Sequence, residues 1–145
     1  MTGVQTCALP IFLKHDTWYV PTLAISHLTP NQAGNEWEQA YLKQRNLAPS
    51  LCCRADAASD VHAAWFKKAL NAGVKMALGS DIRPLKDAGL LEMGLWVKDG
   101  ASAWQTLLAA TKHAAQVCGA GDDLGTVEVG KLADLIVVEI GRAHV

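Results

Sequence analysis

No apolar run in these 145 residues approaches the ~20 needed to cross a bilayer. Charge of either sign is scarce in excess: 13 Lys and Arg against 14 Asp and Glu leave a formal net charge of -1, which excludes a polybasic nucleic-acid binder. The four cysteines, Cys7, Cys52, Cys53 and Cys118, form no Cys-x-x-Cys pair and have no histidine pair nearby. Adjacent Cys52 and Cys53 fit either free thiols or a strained vicinal disulfide, so they do not fix a redox compartment. The absence of any Gly-x-Gly-x-x-Gly or Gly-x-x-x-x-Gly-Lys-Ser/Thr run weakens a nucleotide-binding reading. Repeats and low-complexity stretches are also missing. What remains is 50 % hydrophobic, the composition of a globular piece with the length of one ordinary domain.

The run Gly73-Val-Lys-Met-Ala-Leu-Gly-Ser-Asp81 organises the rest. It reads as a buried strand that leaves a helix at Gly73 and ends on a carboxylate. Val74, Met76 and Leu78 share one parity; Lys75, Ala77, Gly79 and Asp81 share the other. One face is therefore apolar, and the other carries mostly small groups with Asp81 at its C-terminal end. In a barrel of parallel strands that end hosts the chemistry. An acid placed there can ligate a metal or accept a proton. It can equally cap the helix that follows, and the residues alone allow both.

Earlier in the chain, Thr17–Leu23 is rich in β-branched and aromatic residues and predicts a strand, with Pro21 near its end. Residues 31–45 predict a helix with Trp37, Ala40 and Tyr41 on one face. Residues 46–58, broken by Pro49, read as a polar loop. Ser59 is then expected to cap a helix to about Asn71, with Val61, Ala64, Trp65 and Ala69 on its apolar stripe and His62 on its surface. Ala88–Lys98 predicts a further helix. Ser102 should cap a longer one through Val117, with Trp104, Leu107, Leu108, Thr111 and Ala115 on one face and Lys112-His113 on the solvent side. Residues 128–131 predict a turn, and 135–138 a buried strand. His15 and His27 belong to no His-x-His pair and end no apolar strand, so solvated or locally bonded histidines are expected at both.

Two blocks carry a resemblance. Ala72-Gly73-Val74, the apolar strand and Gly79-Ser80-Asp81 together resemble the last barrel strand of the amidohydrolase superfamily, in the branch holding imidazolonepropionases and Xaa-Pro dipeptidase-like enzymes. Leu124–Val138 resembles the segment by which that family's chain returns to its small β-domain. Val20-Pro-Thr-Leu23 is similar to a run in the family's seventh barrel strand. The resemblance implies an α/β fold: the C-terminal part of a (β/α)8 TIM barrel over residues 12–118, followed by strands of a small β-sandwich over 119–139. A whole barrel takes roughly 200 residues or more, so this chain is expected to be a fragment. Residues 1–11 and 140–145 resemble translated sequencing adaptors and are set aside as non-native. Cys7, Arg142 and His144 are expected to carry no function.

The implied activity is metal-dependent hydrolysis of a C–N bond, in a dipeptide or cyclic amide. A divalent metal, one or two ions and zinc in first place, would lower the pKa of bound water to about 7. Asp81 is then the expected catalytic residue, both metal ligand and proton shuttle. After it the chain departs from the family pattern with Ile82-Arg-Pro-Leu-Lys-Asp87. That places Arg83 where a substrate carboxylate could be held bidentately, and Thr22 is a second candidate near the mouth. The expected partners are a small-molecule substrate and the missing N-terminal part of the same chain, with neither nucleic acid nor a membrane span. One carboxylate cannot hold a catalytic zinc, which takes about three protein ligands, so no metal is expected to bind this fragment stably. The competing reading is a non-catalytic α/β interaction module in which Asp81 only caps a helix.

Overall fold

Among the described residues, seven helices separate and flank two extended segments. The computed structural model describes residues 3–29, 32–45 and 49–137. Helix α1 covers Gly3–Lys14, α2 Leu23–His27, α3 Glu36–Arg45, α4 Pro49–Asn71, α5 Leu85–Lys98, α6 Ala103–Ala110 and α7 Lys112–Val117. The extended segments, 17–22 and 74–82, lie side by side and run parallel. Tyr19 N–H donates to the Lys75 carbonyl at 2.9 Å, and Ala77 N–H donates to the Tyr19 carbonyl at 3.2 Å. Among the described residues this pairing, Tyr19 with Met76, is the whole of the sheet structure. The expected strand 73–81 is thus reduced to one bridge, because a ladder needs neighbours on which to propagate.

The parity expected for residues 74–81 shows only in part in their burial, for Ala77, which shares the parity of Asp81, is fully buried and Leu78 is half-buried. Val74 and Met76 are 7 % and 4 % exposed, whereas Lys75 and Asp81 are open to solvent. Gly73 takes φ +75°, the left-handed conformation that stops α4 and turns the chain into the extended segment. Gly79 meets a different demand: a Cβ there would lie 2.7 Å from the Val20 Cγ1, so only a glycine lets the two segments approach.

Between the extended segments and the helices sits one core. Phe66 of α4 is fully buried and meets Trp96 of α5 edge-on, ring centroids 5.0 Å apart. Leu23, Ala24, Leu28, Ala69, Val74, Met76, Ile82, Ala88, Leu95, Ala101 and Ala109 complete it. α2 packs on α4 and α5, which brings the end of segment 17–22 under both long helices.

Several expectations need correction. Helix α4 begins at Pro49, ten residues before Ser59, so the expected loop over 46–58 is helical from 49 onward. Pro49 stands at the first helical position, where its missing N–H costs nothing, and the alanines and Leu51 that follow are good helix formers. Ser59 is therefore inside the helix; its hydroxyl donates to the Gln32 Oε1 at 3.2 Å. The buried stripe of α4 runs through Ser59, Phe66 and Ala69, while Val61 is 51 % exposed.

Ser102 does cap α6, in a full capping box with Gln105. The helix stops at Ala110, however, and Thr111 (φ −119°, ψ −87°) separates α6 from α7. The cause is local: the Ala109 carbonyl accepts from Leu78 N–H at 3.0 Å and not from residue 113. Trp104 and Leu107, expected on a common face, are 65 % and 46 % exposed; Thr106 and Ala109 are the buried pair. Residues 128–131 form the expected turn, closed by Lys131 N–H to the Glu128 carbonyl at 3.3 Å. Beyond it, Leu135, Ile136 and Val137 are 59 %, 90 % and 95 % exposed and pair with nothing among the described residues. The expected buried strand is an extended, uncovered segment, and Val138 lies outside the described residues.

Candidate active site

The extended segment delivers Asp81 to an open end. Its backbone turns there into the left-handed region, φ +52°. Its side chain is exposed and takes part in no hydrogen bond or ion pair among the described residues. α5 begins four residues later, at Leu85, with Pro84 as its N-cap and no side-chain cap. Asp81 thus does not cap the following helix, which removes the structural role the module reading had given it.

Thr22 ends the partner segment. Counting three residues forward from the Tyr19–Met76 pairing sets Thr22 at the level of Gly79, two residues short of Asp81. It is half-buried, with φ +50° and ψ +50°, an unusual conformation for a β-branched residue. It precedes α2 as N-cap, yet its hydroxyl caps nothing. Arg83, two residues beyond Asp81, is exposed and forms no ion pair among the described residues. The three candidate residues therefore lie at one end of the paired segments, Asp81 and Arg83 on one and Thr22 on the other. Among the described residues no three His, Cys, Asp or Glu side chains converge as a metal site would require.

Behind this end stands a polar group with no counterpart among the sequence candidates. Glu92 of α5 is fully buried. One carboxylate oxygen accepts the Leu23 N–H at 2.9 Å and the Trp96 Nε1–H at 3.0 Å; the other accepts the Ala24 N–H at 2.7 Å. Burial pushes its pKa above the usual carboxylate range, although all three donors favour the anion. Its signal in the sequence was a glutamate on the stripe Ala88, Glu92, Leu95, Trp96, where α5 is otherwise apolar.

His62 of α4 is a correction too. Expected on the surface, it is half-buried, 2.8 Å from the Ser26 hydroxyl through Nδ1 and 3.2 Å from the Tyr19 hydroxyl through Nε2. The Ser26 hydroxyl is also 3.0 Å from the Leu23 carbonyl, to which it donates. The Pro21 carbonyl also bonds the ring, so which nitrogen of His62 donates follows its tautomer. Burial lowers the pKa of His62 and raises that of Tyr19 to about 12, with Glu92 adding to the latter. His27, at the end of α2, is likewise half-buried and lowered by burial. His113 does not face solvent either: its Nδ1 lies 3.0 Å from the Met76 carbonyl and its ring 5.6 Å from that of Trp18. His15 is exposed, as expected.

Known proteins place this arrangement. One family model, Amidohydrolase family, matches residues 11–144. Imidazolonepropionase of Pseudomonas putida is 39 % identical over 75 residues, 48 % of this chain and 18 % of that protein. The 5-methylthioadenosine/S-adenosylhomocysteine deaminase of Moorella thermoacetica is 30 % identical over 118 residues, 74 % of this chain and 28 % of the relative. A crystal structure of a Xaa-Pro dipeptidase with bound methionine in the active site superposes with a TM-score of 0.66 at 28 % identity, over 87 % of this chain and 29 % of the other. The chain thus spans less than a third of each of these proteins. With its parallel segments, its Gly79-Ser80-Asp81 terminus and a family match over nearly its whole length, the chain belongs to the amidohydrolase family.

Proposed function

We propose that this chain is the C-terminal part of a metal-dependent amidohydrolase that cleaves a C–N bond in a small amide. The observation that carries the reading is Asp81, exposed at the end of a parallel-paired segment, in a strained backbone conformation and without a structural partner among the described residues. A conformation of that kind persists where surrounding structure imposes it, and such positions cluster at active sites. Residues 12–118 would be the last strands and helices of a (β/α)8 barrel, and 119–139 the return to a small β-sandwich. The similarity to an imidazolonepropionase, a deaminase and a dipeptidase supports a small-molecule substrate.

Asp81 alone does not fit a catalytic divalent ion, since about three protein ligands are needed and no such group converges among the described residues. In the intact enzyme Asp81 would be one ligand and would exchange a proton with the leaving nitrogen, the remaining ligands coming from upstream sequence. Arg83 would hold a substrate carboxylate, and Thr22 would line the same mouth.

The test has two arms. Zinc titrated calorimetrically into this polypeptide should show no stoichiometric site; tight binding would overturn the fragment reading. The uninterrupted coding sequence should carry a histidine-bearing front half and hydrolyse a C–N bond. There Asp81→Asn should cost about 10²–10⁴ in kcat. An intact gene without that front half, or full activity in the variant, would sink the assignment.

A further inference from the structure

Thr22 holds an uncommon backbone conformation, and its own side chain does nothing to maintain it. The α2 helix that it opens has only five residues, too few to be stable by itself. Something else must fix this turn. The first two N–H groups of α2, on Leu23 and Ala24, both end on Glu92, 69 and 68 residues away. We propose that Glu92 is a positioning residue: by accepting both amides it locks Thr22 in the left-handed conformation and so sets where the Thr22 side chain stands at the mouth. This rests on the reading of Thr22 and Asp81 as site residues.

The chemistry suits a carboxylate and nothing simpler. The two adjacent N–H donors end on separate carboxylate oxygens, and one of these also accepts Trp96 Nε1–H. A glutamine offers one acceptor oxygen; its NH₂ would face the second amide donor to donor. Neither of the two ion pairs among the described residues involves Glu92, so its three donors are what offset its desolvation. The titratable groups that act on it or feel it are Tyr19 on segment 17–22 and Asp99 at the end of α5. Neither reaches the carboxylate by a hydrogen bond.

The experiment is NMR on the full 145-residue chain, which reads geometry and not activity. In Glu92→Gln, amide exchange at Leu23 and Ala24 should quicken about ten- to a hundredfold, the scale of a lost charge-assisted hydrogen bond. The strong intraresidue HN–Hα cross-peak that a positive φ gives Thr22 should weaken, while Gly73, with its own positive φ, keeps its signals. Unchanged Leu23, Ala24 and Thr22 signals in a folded variant would overturn the proposal. Should the variant not fold, the wild-type chain decides. The Leu23 and Ala24 amides and the Trp96 indole proton should then follow the Glu92 carboxyl carbon through one common titration. Three protons that ignore that carbon would refute the proposal, and they would do so without touching the hydrolase reading, which the intact gene tests separately.

Discussion

Replacing Asp81 by glycine should leave this chain as stable as before or more stable. The residue has φ +52°, a conformation that costs an ordinary L-residue roughly 1–2 kcal/mol and an aspartate somewhat less. Glycine enters it freely, though the greater freedom of the unfolded chain takes back about 0.5–1 kcal/mol. Nothing structural among the described residues is lost on the other side, since the carboxylate is exposed, has no partner among them and is not a cap. The net expectation is a change between zero and about 1 kcal/mol in favour of the variant. Were Asp81 a helix cap, its removal would cost ~1 kcal/mol.

The sign therefore separates a residue kept for chemistry from one kept for the fold. Urea unfolding followed by the fluorescence of the five tryptophans would measure it, with the m-value checked for constancy. Asp81→Asn serves as a control, because asparagine tolerates the left-handed region and should fall close to wild type. A glycine variant less stable than wild type by about 1 kcal/mol or more would refute the argument that this acid is structurally idle.

Two further outcomes are expected. Phe66→Ala should destabilise by about 3–5 kcal/mol, because the ring is fully buried against Trp96 and leaves a cavity between α4 and α5; a fall of the urea midpoint equivalent to less than ~1 kcal/mol would contradict the packing. Acid should also weaken the fold through His27 and His62, whose pKa values burial holds below 6.5. The unfolded chain binds those protons more readily, so the stability they contribute is complete above about pH 6.5 and drains as the pH falls below it. Glu92 and Asp99, raised by burial, work in the opposite sense, favouring the fold at low pH and losing that contribution as the pH rises. His62→Gln should accordingly flatten the dependence of Tm on pH between about 6.5 and 5; a variant whose slope superposes on the wild type would show that His62 does not titrate as its burial implies.

What the sequence makes legible here is whatever is decided within a few residues. The end of α4 at Gly73 and the start of α6 at Ser102 follow from a left-handed glycine and a capping box, both local chemistry. Which face of a helix is buried is decided elsewhere. Trp104 has every apolar claim on the core and is 65 % exposed, while Glu92 has none and is fully buried. The reason is that α2, not α5 itself, presents the unpaired amides that Glu92 answers, across 68 and 69 residues of chain. The same logic governs residues 135–138, whose β-branched run reads as a strand, yet Leu135, Ile136 and Val137 lie uncovered: a strand is completed by its neighbour, and no neighbour lies among the described residues.

The candidate site divides along the same line. Asp81 became a candidate through the resemblance of Gly79-Ser80-Asp81 to the end of the amidohydrolases' last barrel strand, since the alternation by itself also allows a helix cap. His62 was misread because its ring is held by residues, Tyr19, Pro21 and Ser26, that belong to another part of the chain. Tyr19, Ser26, His62 and Glu92 all converge on one short stretch, residues 19–26, which contains Thr22. Such concentration of buried hydrogen bonds is expensive in desolvation, and a loop with no geometric duty would not need it. Asp81's segment is held upstream of the acid, by the parallel pairing, the tight contact at Gly79, the Val74–Ala69 and Leu78–Ala109 bonds, the His113–Met76 contact and the Lys75–Asp16 ion pair. The end of the paired segments is thus hydrogen-bonded on the Thr22 side, while among the described residues nothing bonds to Asp81 itself, which accords with the proposal that its partners come from other sequence.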